Sequence, residues 1–268
     1  MSDIAQALSD TGTITWRNVT RLRRQPDSIV FGIIQSVMFV LLFAFVFGGA
    51  IAVPGGGDYT DFLMGGIFVQ TVAFTCATTC IAMADDLSRG LFDRFRSLPM
   101  ARSAVLAGRT FADLAFAGVT TTTMALTGLL VGWRTDASAL SVAAGFALLA
   151  LFAYSFLWIG AVIGLSVRSV EVAQTAGLIW LFPLTFLSNA FVPLESMPSW
   201  LQPIAAWNPI SAVTAAIREL FGNTPVGYEP PDYWPLENPH LASVLWCLVL
   251  LAIFVPLGVS RYRRAAAT

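Results

Sequence analysis

The chain contains no lysine and only one histidine, His240. Each shortage removes a chemistry. Without lysine there can be no Gly-x-x-x-x-Gly-Lys loop, whose ammonium group must reach nucleotide phosphates, and no Schiff-base nucleophile. One histidine and three cysteines, Cys76, Cys80 and Cys247, do not make a metal centre. No Gly-x-Ser-x-Gly or His-Glu-x-x-His motif occurs, so an intramembrane hydrolase has neither nucleophile nor metal set here. The expected catalytic and metal-ligand sets are therefore empty. The cysteines read as small apolar helix residues, with Cys76 and Cys80 one turn apart.

Charge is scarce as well. Charged residues make up 12% of the chain, against about 25% in an average soluble domain. Hydrophobic residues reach 56% and the mean hydropathy is +0.72. What the sequence does have is long apolar runs: 29–53, 62–83, 105–132, 139–166, 172–192 and 241–259. Crossing the hydrocarbon layer takes about 20 residues of helix, and lipid cannot satisfy the backbone of an open strand. The expected fold is all-α, a polytopic membrane protein of six transmembrane helices. The first 28 residues lack the apolar core of a signal peptide.

All fifteen cations are arginines. With a cytoplasmic N-terminus, thirteen of them fall on inside segments, and only Arg134 and Arg218 lie outside. That asymmetry fits the positive-inside rule, and an even number of spans puts both termini in the cytoplasm. The expected layout is a cytoplasmic amphipathic helix in 1–28, a transmembrane domain over 29–260 and a cytoplasmic tail, 261–268. In the first segment Ile4, Leu8, Val19 and Leu22 share one helical face, and Arg17, Arg21 and Arg24 the opposite one. Such a helix suits a lipid surface.

Among the connections, "AVPGGGDYTD" and "WRTDAS" read as short external turns and "VRSVEV" as a cytoplasmic one. The last external segment, 193–240, is too long and too aromatic for a turn. Asn208 can cap a helix that opens on Pro209 and closes at Gly222. Ile210, Val213, Ile217 and Leu220 form its apolar stripe, and its thirteen residues give a rod of about 20 Å, too short to span. A re-entrant or interfacial outer helix is the reading. Pro198, Trp200 and Pro203 suggest a second short helix before it. Arg218 and Glu219 lie off the stripe, where solvent exposure and a structural ion pair are both open. Within the spans the polar groups are mild: Gln35, Gln70, Gln174, Asn189 and the run Thr120–Thr123, with Asp113 about one turn from the cytoplasmic side. A chain of carboxylates suited to proton relay is missing. Gly128-x-x-x-Gly132 and Gly160-x-x-x-Gly164 permit close helix packing.

One polar stretch interrupts the apolar pattern, "DDLSRGLFDRFRSLPMARSAVLAGR". Read as a helix over 85–98, it places Leu87, Leu91, Phe95 and Leu98 within about 80° of one another, with Arg89, Asp93 and Arg96 opposite. Pro99 ends it. By the arginine count it faces the cytoplasm.

This stretch resembles the cytoplasmic loop of type-2 ABC transporter permeases, in particular the daunorubicin-resistance-like drug exporters. The later "FVPLESMPSWLQPIAAWNPISAVTAAIRELFGN" is similar to the family's second signature, and the two stand in the family's order. The resemblance implies a permease that forms the pathway of an ATP-driven exporter in the inner membrane of a bacterium. ATP and magnesium would be bound by a separate ATPase, so no cofactor is expected in this chain. The implied partners are two copies of that ATPase, a second permease copy, membrane lipid and an amphipathic drug or lipid-like substrate, with no nucleic acid. The coupling element would fall on Leu87, Arg89, Gly90, Leu91, Phe92, Asp93, Arg94, Phe95, Arg96, Leu98 and Pro99. The external gate would fall on Asn208, Pro209, Ile210, Val213, Ile217, Arg218, Glu219 and Leu220. Export of a polysaccharide or glycolipid is the alternative within the class. A membrane sensor or anchor without transport is the alternative outside it.

Overall fold

The computed structural model describes residues 3–23, 26–47, 59–90, 102–224 and 231–265. Among these all the regular secondary structure is helical, and four helices are long and apolar enough to cross a membrane. They are α3 (Tyr59–Ser88), α4 (Arg102–Val131), α5 (Ala139–Gly164) and α11 (Pro239–Ala265). Two of the six expected spans take another form. The first is α2 (Pro26–Leu42), which passes into a π-helical turn at Phe43–Phe47. The other is split into α6 (Val170–Leu178) and α7 (Leu181–Phe186). Pro183 accounts for the break. It has no N–H to give the Ile179 carbonyl, and its ring crowds that carbonyl.

Burial ranks the helices. Along α3, Leu63, Ile67, Phe68 and Cys76 are fully buried, and apolar residues occupy every face. That is the pattern of a central helix. On α11, by contrast, Leu241, Leu245, Leu248, Val249 and Ile253 are exposed, a face suited to lipid. α3 packs most extensively against α5 and also along α6. The glycines of the Gly160-x-x-x-Gly164 pair make the α3–α5 approach possible. A β-carbon at Gly160 would overlap the Cys76 carbonyl, and one at Gly164 the Cys80 carbonyl. Cys76, Cys80 and Cys247 are buried and unbridged, as expected of small apolar residues.

The N-terminal helix α1 (Asp3–Arg23) forms as expected but docks differently. Its main neighbour is α4, where Ile14 is 2% exposed and sits directly over Gly108. Asn18 is buried one turn further on. Val19, expected on the lipid-facing stripe, is only half-buried. The protein-facing side of α1 is thus rotated away from the apolar stripe read in the sequence, because the smallest residue on α4 sets the closest approach. The side chains of Ile4, Leu8 and Leu22 lie outside the described residues.

The long segment after α7 condenses into short pieces: a 3-10 turn at Leu194–Ser196, α8 (Gln202–Ala206), α9 (Pro209–Phe221) and α10 (Trp234–Glu237). α9 packs on α11, α5 and α3, so it is seated across one end of these helices. The "WRTDAS" turn joins α4 to α5, and the "VRSVEV" turn ends on Ser169, which caps α6 through the Val172 N–H. Tyr59, Thr60 and Asp61, read as part of the first outer turn, instead open α3.

Candidate functional site

Two polar assemblies stand at opposite ends of the bundle. At one end, α9 starts and stops as its sequence dictates. The Asn208 side chain accepts from the Ile210 N–H at 2.9 Å, and Gly222 closes the helix in the left-handed region, at φ 72°. The same Asn208 amide donates to the carbonyls of Leu184 (2.6 Å) and Leu187 (2.7 Å). The cap therefore also ties α9 to the end of α7. Ile210, Val213 and Ile217 are fully buried and Leu220 is partly buried, so the stripe packs inward. Trp133 fastens the far end. Its Nε1 donates to the Asn223 side chain at 2.8 Å, and Asn223 donates to the Arg134 carbonyl at 2.7 Å.

Arg218 departs from the solvent-exposed reading left open by the sequence. It is 5% exposed. Its Nε donates to the Phe62 carbonyl at 2.9 Å, and its Nη2 donates to the carbonyls of Asn189 and Ala190, both at 3.0 Å. Its guanidinium carbon stands 3.5 Å from the centre of the Phe62 ring, a cation–π distance. The planar fork suits this: it spreads several donors over carbonyls in fixed directions. Space for it comes from the Gly65-Gly66 pair on α3. A β-carbon on Gly65 would meet the arginine stem, and one on Gly66 would overlap the Ala190 carbonyl. Glu219 points outward and pairs with His240 Nε2 at 2.8 Å, both half-exposed. Nearby, a hydrogen bond to the Asp232 side chain, with that group's charge, holds the Glu237 carboxyl above its ordinary range.

At the opposite end, α3 leads into the arginine-rich connector and α4 leads out of it. Arg109 on α4 bridges them. Its Nη1 lies 3.1 Å from Asp86 on α3, and its Nε lies 3.2 Å from Asp113 on its own helix. The Thr79 hydroxyl donates to Asp113 at 2.7 Å. Asp86 and Asp113 are 5% and 8% exposed, so the group is a buried clasp rather than a surface ion pair. Asp113 does not reach out to the interface, as its position alone suggested. The Arg109–Asp113 half shows in the sequence as an i,i+4 pair. The bond to Asp86 crosses the connector, and no local spacing reports it.

The expected coupling element is divided at this point. Leu87 belongs to the last turn of α3 and packs on the cluster holding Ile14, Met83 and Leu106. Arg89 pairs with Asp85 at 2.8 Å on the surface. Gly90 then turns the chain at φ 63°. A single helix over 85–98 is thereby corrected: the first turn continues the span, and a left-handed glycine ends it. Leu91, Phe92, Asp93, Arg94, Phe95, Arg96, Leu98 and Pro99 lie outside the described residues.

Between the two ends, a cavity of about 230 Å³ opens among α2, α3, α4 and α6. No trio of His, Cys, Asp or Glu among the described residues is arranged to hold a metal.

The ABC-2 type transporter family profile matches residues 9–221, from within α1 to the last residue of α9. The matched span includes the clasp, the connector and the outer helix. This chain is an ABC-2 type transporter permease. It is 33% identical over 261 residues to the daunorubicin resistance ABC transporter permease protein DrrB1 of Streptomyces coeruleorubidus, covering 97% of this chain and 88% of the relative. It is 26% identical over 279 residues to the probable doxorubicin resistance ABC transporter permease protein DrrC of Mycobacterium tuberculosis, covering 98% and 90%. A putative transport permease of Cyanophora paradoxa, ycf38, is 26% identical over 216 residues, covering 76% and 71%. The permease is therefore a multi-pass membrane subunit of an ABC transporter, a transport component rather than an enzyme in its own right.

Proposed function

We propose that this permease forms the membrane pathway of an ATP-driven exporter for an amphipathic drug or lipid-like molecule. The observation that carries this reading is the buried Arg109 clasp. It ties the two spans that flank the cytoplasmic connector, so a push on the connector moves α3 and α4 together. Leu87–Pro99 would receive that push from an ATPase, and α9, at the far end of the same spans, would open and close the exit. Two permease copies and two ATPase copies would make up the working unit. α2 and the α6–α7 pair would complete six spans, with residues 1–28 and 261–268 cytoplasmic. The resistance to daunorubicin and doxorubicin in the names of its relatives supports an amphipathic drug as cargo.

The experiment is transport in inside-out vesicles carrying the permease and its ATPase, read by doxorubicin fluorescence. We expect accumulation that requires ATP and both proteins. Equal accumulation without the ATPase would refute the reading. For the layout, single cysteines replacing Asp136 and Arg168 in a cysteine-free background should divide, with only the first labelled by an impermeant reagent in whole cells. Labelling at position 168 would refute six spans with inside termini.

A further inference from the structure

A second cavity, of about 220 Å³, opens between α4 and α5. Val72 of α3 lies at its floor, and Ala117, Leu149 and Ala153 beside it are buried as well. Its mouth is on the exterior of the bundle, where Gly118, Thr122 and Ala150 are exposed. The two helices are held together beyond either end of it. On one side Phe111 of α4 stacks on Tyr154 of α5, 5.0 Å between ring centres. On the other, Trp133, just past α4, and Phe146 of α5 both pack edge to face on Phe68. The cavity is therefore a slot that runs along the helices and opens sideways. Depth and chemistry decide what fits it. Every lining residue of α4 and α5 stands seven or more residues from either end of its helix, about 10 Å of helix rise or more. In a hydrocarbon layer roughly 30 Å thick, that depth meets acyl chains rather than headgroups or water. No lining residue is charged. The two hydroxyls on the wall give their protons to their own helix, Thr121 to the Ala117 carbonyl at 2.7 Å and Thr122 to the Gly118 carbonyl at 2.8 Å. An occupant meets neither a charge nor a free donor.

We propose that this slot binds an acyl chain of a membrane phospholipid, one per permease chain, as a fixed part of the fold and not as cargo. An empty apolar slot forfeits dispersion contacts on every wall, and a flexible chain restores them without asking for a hydrogen bond. The occupant also bears on α9. Phe146 lines the slot and packs on Phe221, the last residue of α9, at 5.3 Å between ring centres. Gly145 beside it lies so close to Phe221 that a β-carbon would overlap the ring. A chain in the slot therefore braces the wall on which the end of α9 rests. The inference needs only that α4 and α5 cross the membrane, and it stands whether or not the permease exports.

The test is native mass spectrometry of the full-length permease, purified in detergent, equilibrated with palmitoyl-oleoyl phosphatidylglycerol and then washed. Wild type should keep one phospholipid per chain. Gly118→Phe and Ala150→Phe fill the slot from opposite walls and should lose it. The first has room, since a β-carbon at Gly118 meets nothing within 4 Å. Leu248→Phe, on the exposed face of α11 and outside the slot, should keep it. Dihexanoyl phosphatidylglycerol has the same headgroup and chains too short to reach the slot, and should not displace the bound lipid. Wild type without a retained lipid would overturn the proposal, as would equal retention by the two filled variants. Displacement by the dihexanoyl lipid would also overturn it, by making the headgroup the part that is held. A second permease copy in the slot would appear as a dimer that Gly118→Phe splits into monomers while the lipid count stays the same, and that too would overturn it. Both filled variants must elute like wild type. If only one does, that variant decides, and if neither does, the dihexanoyl competition on wild type decides.

Discussion

Replacing Arg218 with methionine keeps an unbranched stem of similar bulk and deletes every donor. Three carbonyls lose a partner, but not equally. Phe62 lies inside α3, where its carbonyl keeps the helical hydrogen bond, so its loss is small. Asn189 and Ala190 lie in a turn, and the guanidinium is the donor to both. An unsatisfied buried carbonyl costs ~1–3 kcal/mol. With the lost contact to the Phe62 ring, less the desolvation no longer required for a buried charge, the net cost is about 2–4 kcal/mol. For a chain of this size each kcal/mol moves Tm by roughly 2–4 °C, so the expected fall is about 5–15 °C. The assay is thermal unfolding of the purified full-length permease in detergent, followed by size-exclusion chromatography with fluorescence detection. Arg218→Lys should recover only part of the loss, since an ammonium does not reproduce the planar fork. Glu219→Gln is the internal control: it breaks a half-exposed pair with His240, worth ~0–1 kcal/mol. A Tm for Arg218→Met within 2 °C of wild type would refute the claim that this side chain holds the outer segment on α3.

The remaining predictions concern other joints. Ile217→Asp would place a carboxylate at a fully buried position, costing several kcal/mol in a dry site. It should still co-purify with the ATPase yet lose export, and normal export at normal expression would remove α9 from the gate. Arg109→Met should remove the cation that bridges Asp86 and Asp113 and lower both Tm and transport-coupled ATP hydrolysis, with Arg109→Lys intermediate; unchanged coupling would dismiss the clasp. Gly164→Val should drive a side chain into the Cys80 carbonyl and sharply reduce folded yield, whereas Gly118→Ala meets nothing within 4 Å and should be neutral in the same chromatographic measurement.

The sequence carried the local structure well and the long-range structure poorly. Asn208, Pro209 and Gly222 specify a helix by their own backbone preferences, and α9 has those ends. The buried stripe of α9 follows from periodicity alone. Arg218 did not, because an arginine beside a glutamate reads as surface. Its burial depends on space left by Gly65 and Gly66, more than 150 positions earlier, and on carbonyls whose place no pattern encodes. Gln70 reads as one mild polar residue in a span, and only the convergence of four helices places it at the wall of a cavity. Continuous hydropathy over 172–192 suggested a single rod. The backbone at Pro183 decides otherwise, a local effect that hydropathy does not register.

That break between α6 and α7 gives the two halves of one span separate allegiances. The inner half lies against α3, where Gly177 meets Ala77 and the Cys80 thiol donates to the Ala173 carbonyl. The outer half is held by Asn208, through the carbonyls of Leu184 and Leu187, and so belongs to the body that contains α9. A rigid rod would carry any shift of the outer helix down to the cytoplasmic side. A jointed one absorbs it at Ile179 and Trp180, next to a carbonyl that Pro183 has already released from the helix. If α9 gates the exit as proposed, that exit would tilt while the inner half stays in register with α3. A span in two pieces would then act as a decoupler, separating the movement of the door from the grip of the frame.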